Sequence, residues 1–218
     1  ALVKVNGLEV ERCGRNFRAP VTLTAQFNAI SVTSKDKFGQ IQQEIQVVWD
    51  KKSYPRYNFF IDDNIFFLTD IARPKPTSLF EHFYLKSLQD THRRYGTKFT
   101  LNLFFHNDHH DFSLNQFPAD YKSEFEQNSD WLKMSFHAYS EFPDRPYQHA
   151  TAGKIAEDYD LLHSEIVRFA GEESFIPPVV IHWGMMHPDH LPVLTQRGCR
   201  VMAGSFINSK TYVGEQET

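Results

Sequence analysis

The sequence predicts an α/β protein: a parallel sheet wound with helices, preceded by a small β-rich segment. Three observations carry this. From about residue 55 the chain alternates short apolar runs with helix-like stretches, the pattern of strand–helix–strand units with right-handed crossovers. The first fifty residues differ, because Val21 to Phe27 and part of Gln42 to Trp49 alternate apolar and polar residues as antiparallel strands do. No Gly-rich phosphate loop follows any strand, which weakens a nucleotide-binding doubly wound reading. An open doubly wound sheet and a (β/α) barrel both satisfy the pattern. The expected domains are a β-rich N-terminal appendage at 1–54 and an α/β domain at 55–218.

In order along the second domain, Tyr57 to Ile61 reads as a buried strand and Ser78 to Arg94 as a helix. Ser78 suits the N-cap, with Glu81 three residues on completing a capping box and Gly96 stopping the helix. Lys98 to Phe105 is a strand, Ala119 to Glu126 a short helix, and Leu132 to Phe136 a third strand. Thr151 to Phe169 reads as a helix, with Leu161, Leu162, Ile166 and Phe169 near helical spacing. Val179 to Ile181 is a strand, Asp189 to Arg197 a helix closed by Gly198, and Arg200 to Gly204 a last strand.

What lies just past each strand then matters, because α/β proteins place their sites there. The first strand ends in Asp62-Asp63, the second in His106, the third in His137 and the fourth in His182 followed by Trp183. Adjacent carboxylates repel and are costly to bury unpaired, so a metal ion or a catalytic proton would justify them. Side chains adjacent on a strand point apart, so one Asp can hold a metal while the other acts as a base if the chain bends. A plain loop pair capping the next segment is the competing reading.

Composition narrows the partners. A hydrophobic content of 41% with 23% charged residues fits a folded globular chain. A net charge of -4 without a basic stripe argues against nucleic acid. No run of about 18 apolar residues offers a membrane span. Aromatics at 15% leave some for stacking on sugar rings. Cys13 and Cys199 form neither a metal-ligand spacing nor a disulfide framework, so cytoplasmic and exported locations, the latter with a removed signal, both stay open. Oligomeric state is not readable.

Residues 55–206 resemble the NodB-type polysaccharide deacetylase superfamily. Phe60-Ile61-Asp62-Asp63 is similar to its Asp-Asp motif. Ser135 to Glu141 is similar to its His-x-x-x-His motif, with Glu141 in place of the second His. Gly198-Cys199-Arg200-Val201 resembles its usual Gly-Tyr-Arg-Val. The resemblance implies a (β/α) barrel, irregular or incomplete, with a carbohydrate substrate and one divalent metal ion. Zinc leads for that ion, with manganese, cobalt or nickel as alternatives. It implies Asp62 as general base, Asp63 and His137 as ligands, and Glu141 or His182 as the third. Glu141 holds the family position, and one helical turn after the strand would put it on the face of His137. His182 keeps the site less anionic, since three carboxylates around one ion should raise the pKa of at least one. The balance favours His182, with Glu141 pairing to an outer group or the Arg145 region. The family's Arg before its Pro-containing motif and its late Leu-x-x-His motif are missing, which leaves His182 or His187 as general acid unless the chain continues past Thr218.

Trp183, Tyr139, Arg145 and His106 are the candidate substrate contacts. The reaction so implied is hydrolysis of an amide or ester on a carbohydrate. The competing functions are a non-catalytic sugar-binding or scaffolding protein, and a glycoside hydrolase using Asp63 and Glu141 as its two carboxylates.

Overall fold

A computed structural model describes residues 2–50 and 59–203. The chain divides into two compact units, Ala1–Arg56 and Tyr57–Thr218. In the first, strands β1 (Leu2–Val5), β2 (Leu8–Glu9), β5 (Phe27–Asp36) and β6 (Gly39–Val48) form an antiparallel sheet in the order β2-β1-β5-β6, and β3 (Glu11–Cys13) pairs with β4 (Asn16–Arg18). The expected strand at Val21 begins only at Phe27. The Asn28 side chain accepts from the N–H groups of Thr24 and Ala25, at 3.0 and 3.1 Å, and donates to Ala25 O at 2.7 Å. Those groups are spent on a local turn instead of a ladder.

The second unit holds β7 (Phe59–Asn64), α1 (Phe66–Ala72), α2 (Phe83–Tyr95), β8 (Phe99–Phe104), the short pair β9 (His106–Asn107) and β10 (Phe112–Ser113), α3 (Lys122–Gln127), β11 (Leu132–Ala138), α4 (Ala152–Ala170), β12 (Val179–Val180), α5 (Leu191–Gln196) and β13 (Met202–Ala203). The helix expected from Ser78 starts only at Phe83, because the capping box serves a separate short turn ahead of α2. Ser78 and Glu81 make a capping box on a 3-10 turn at Leu79–Glu81, and Gly96 closes α2 in the left-handed region at φ 69. In α4 the buried residues Ile155, Tyr159, Leu162, Ile166 and Phe169 recur at three to four positions and form the stripe that packs on the core.

The core sheet is parallel, in the order β11-β8-β7, and all six residues of central β8 are buried. A parallel strand covered on both faces reads as a near-continuous apolar run, and Phe99-Thr100-Leu101-Asn102-Leu103-Phe104 does so apart from Thr100 and Asn102.

The barrel expected from the resemblance is not formed, so the (β/α) barrel assignment is corrected. The described residues make five separate small sheets, three antiparallel and two parallel, together with five α-helices. The parallel sheet fails to extend past β11 for a local reason. Ile176 N donates to Met134 O at 3.0 Å, and Met134 bridges Phe175. Pro177 and Pro178 then have no N–H to donate, so the ladder stops. Side chains take over, with the Ser135 hydroxyl on Pro178 O and His137 on Val180 O. Strand β12 pairs instead with β13. Of the expected strands, the start of the first at Tyr57 and the end of the last at Gly204 lie outside the described residues. No helix among the described residues is long and apolar enough to cross a membrane.

Candidate metal centre

The site is built at two breaks in the parallel ladder. On β7, Ile61 pairs with Leu101 and Asn64 with Leu103, so Asp62 and Asp63 together face the single residue Asn102. On β11, Phe136 pairs with Leu103 and Ala138 with Phe104, so His137 is the extra residue. Each break is a β-bulge, which re-aims a side chain off the regular pleat. The two bulges flank β8 on opposite sides, and this lets ligands from non-adjacent strands lean together over its end.

Asp63 Oδ1 lies 3.0 Å from His137 Nε2. His182 Nδ1 lies 3.0 Å from the same Nε2 and 3.3 Å from Asp63 Oδ1. Asp63 bends into this position at φ 58. His182 arrives on the 3-10 turn that follows Ile181, held by a 2.7 Å bond from Gly184 N to Ile181 O. The Phe104 ring forms the floor, 5.1 Å from the His137 ring and 5.0 Å from that of His182.

The His137 Nδ1–H donates to Val180 O at 2.5 Å, which fixes the ring and leaves Nε2 facing the other two groups. His137 bonding and the charges of both imidazoles hold the Asp63 carboxyl below the usual carboxylate range, against the effect of burial. Burial, then the charge on His137, pushes His182 below the ordinary imidazole value, with Asp63 and Glu141 opposing.

These three atoms fit a metal ion. Four ligands about 2.0–2.1 Å from zinc stand about 3.3 Å apart in a tetrahedron, close to the 3.0–3.3 Å seen. Two His and one carboxylate would also leave the fourth position of a tetrahedral ion open. Among the described residues, Asp63, His137 and His182 are the group of this kind. They line a cleft of about 450 Å³ together with Asp62 and Trp183.

The other expected site residues are distributed as follows. Asp62 lines the cleft, and its Oδ1 accepts from Asn102 Nδ2 at 2.7 Å. The Glu141 carboxylate is turned away from the triad, to His109 Nε2 at 2.6 Å, while its backbone bonds His182. His106 is not brought to the triad, because its Nδ1 meets Ser113 Oγ at 2.9 Å within the β9–β10 hairpin. His187 does not line the cleft, because it caps a 3-10 turn through a 3.3 Å bond from Asp189 N. Trp183, half exposed, stands at the lip with the Arg145 guanidinium 5.8 Å from its ring centre. Both residues have positive φ, 62 and 55, and such strain clusters where geometry is functional. Tyr139 lies outside the cleft lining, with Lys154 Nζ 4.9 Å over its ring. Its backbone N donates to the Tyr147 hydroxyl at 2.9 Å, which in turn donates to buried Asp158 at 3.0 Å.

Asn102 was missed from sequence. An amide at the fourth position of a six-residue apolar strand was the available signal, since a buried polar group needs a partner.

No protein-family model matches the chain, and no curated protein matches it. Among solved structures, the crystal structure of a BA3943 mutant, a CE4 family pseudoenzyme, aligns with 10% sequence identity and a TM-score of 0.37. The alignment covers 80% of this chain and 63% of that one, so the chain spans less than two thirds of that protein's resolved length. At that TM-score the likeness assigns neither a fold nor an activity to this chain.

Proposed function

We propose that the protein is a metal-dependent hydrolase that removes acyl groups from a carbohydrate. The observation that carries this is the Asp63–His137–His182 triangle opening into a cleft that also holds Asp62. The motif resemblance to polysaccharide deacetylases and the indole at the cleft lip support the choice of substrate. Asp63, His137 and His182 hold one divalent ion, zinc in the first instance. Such an ion polarises an acyl carbonyl and makes water acidic near neutral pH. Asn102 fixes Asp62 Oδ1 and so leaves Oδ2 as the proton acceptor. Asp62 takes the proton of the attacking water and returns it to the leaving nitrogen or oxygen. One carboxyl serves in turn as base and acid, since His187 sits outside the cleft. Trp183 offers its face to a sugar ring.

A second reading is a sugar-binding protein without catalysis, favoured by that same poverty of proton donors in the cleft. Metal analysis with an acetate-release screen on acetylated oligosaccharides separates the two. The hydrolase reading expects zinc near one per chain, acetate release, and an Asp62→Asn variant that keeps zinc but loses release. A zinc-loaded parent that binds oligosaccharide yet releases no acetate leaves the second reading standing.

A further inference from the structure

Asp63 has to leave the face of its own strand to reach His137 beyond β8. Its backbone does so at φ 58, and a non-glycine residue in this region is strained and persists only where its surroundings over-determine it. Those surroundings are specific. Asn64, 7% exposed, turns its side chain back along the chain. Its Nδ2 donates to Ile61 O at 2.6 Å and to Asp62 O at 3.0 Å, the two carbonyls at the bulge. Its Oδ1 accepts from the Tyr84 hydroxyl on α2 at 2.9 Å. Both donor hydrogens and the carbonyl of the amide are thus in use. Burial pushes the Tyr84 hydroxyl up to about 12, so it keeps its proton at neutral pH. The Tyr84 ring packs against Phe67 of α1, 5.6 Å between centres, which fixes the hydroxyl relative to both helices.

We propose that Asn64 and Tyr84 form a clasp that holds the β7 bulge and thereby positions Asp63 as a metal ligand. The clasp rests on the metal reading above, and both members act through Asp63 as positioning residues. Asn64 ties the bulge to itself, and Tyr84 ties Asn64 to the helical layer. Without the amide, the carbonyls of Ile61 and Asp62 lose their shared donor, and Asp63 relaxes to an extended conformation that turns Oδ1 away from His137.

The test compares the parent protein with Asn64→Ala, Tyr84→Phe and, as a control, Tyr95→Phe at the exposed end of α2. Two quantities are read: the Asp63 Cα and Cβ carbon-13 shifts without metal, which report the sign of φ, and zinc affinity by calorimetry. Melting temperatures accompany both. The clasp predicts that Asn64→Ala moves the Asp63 shifts out of the left-handed range and weakens zinc about 10–100-fold, the usual effect of losing an outer partner of a ligand. Tyr84→Phe moves both the same way by less, and Tyr95→Phe moves neither. A folded Asn64→Ala with unchanged Asp63 shifts and zinc affinity overturns the proposal. If Asn64→Ala does not fold, Tyr84→Phe decides by the same two readings, and no change in either overturns it. A parent that binds no zinc overturns the metal reading and with it the ligand role. The metal-free shifts then still show whether the clasp governs the bulge, which keeps the two failures apart.

Discussion

The ladder between β5 and β6 runs from Phe27–Val48 to Asp36–Gly39 without a slip, whereas the ladders on either side of β8 each slip once. The regular ladder is the longer one, yet no residue between 2 and 50 is buried. The interrupted ladder surrounds a strand whose every residue is buried. Regular pairing alternates side chains and gathers none of them. A bulge costs ladder bonds and backbone strain but brings a carboxylate and an imidazole from separate strands to 3.0 Å. Such a defect persists only where packing around it is dense enough to leave no alternative, and here that packing is β8 and the helices on it.

The largest expected effect separates the two regions by stability. Leu101 in β8 is fully buried, and Leu101→Ala should cost about 2–5 kcal/mol. Ile45 in β6 is 55% exposed, and Ile45→Ala should stay within about 0.5 kcal/mol. Urea unfolding followed by tryptophan fluorescence measures both. Equal losses would break the comparison, because they would mean that the first sheet contributes a core of its own.

A smaller effect sharpens the contrast through pH. His182 sits below the ordinary imidazole value of 6.5, chiefly through burial. The unfolded chain therefore takes up this proton at a higher pH than the folded one. The stability involved is complete above about pH 6.5 and is lost as pH falls from there toward the folded value. Asp63 is held below its ordinary value of 3.8, chiefly by the bond from His137, so its share is lost only in stronger acid. Both slopes have one sign. Melting temperatures of metal-free protein should fall between pH 7 and pH 5, and His182→Ala should flatten that fall. A slope that survives the substitution would assign it to another group.

Strand identities were legible because apolar runs such as Leu101 to Phe105 and Leu132 to Phe136 need no long-range information. The ends of those runs pointed to Asp63, His106, His137 and His182, of which the structure gathers three. His106 escapes because the chain turns straight into a hairpin with Phe112–Ser113, and its ring bonds there. The bulges were not legible. Whether a ladder slips by one residue depends on the partner strand, and alternation along one strand carries no record of it. The failure to close a barrel had a local signal, Pro177-Pro178, which reads as a break only once Ile176 is known to pair with Met134. The clasp was hidden for the same reason, since Asn64 and Tyr84 are twenty residues apart and Tyr84 falls on a helix face that looks merely aromatic.

The smallest expected effect concerns Glu141, and it bears on how irregular backbone distributes ligands. Glu141 follows His137 by four residues, where one helical turn would have placed it beside the metal. The next helix after β11 starts only at Ala152. Ala138 re-enters the ladder opposite Phe104, Tyr139 N is held by Tyr147, and the chain carries Glu141 across to His109 at 2.6 Å. Both partners of that pair are well exposed, with side-chain values of 47% and 36%, so the pair should be worth about 0.2–1 kcal/mol at most. Glu141→Gln should therefore leave zinc affinity within about twofold and the melting temperature nearly unchanged. His182→Ala removes an atom that lies 3.0 Å from His137 Nε2, and it should weaken zinc by at least the 10–100-fold expected for an outer partner. Calorimetric zinc titration of the two variants reads the difference directly. If Glu141→Gln loses zinc by two orders of magnitude while His182→Ala binds as the parent does, the triangle seen here is not the ligand set. The loop after β11 would then have to fold back onto its own strand when metal binds.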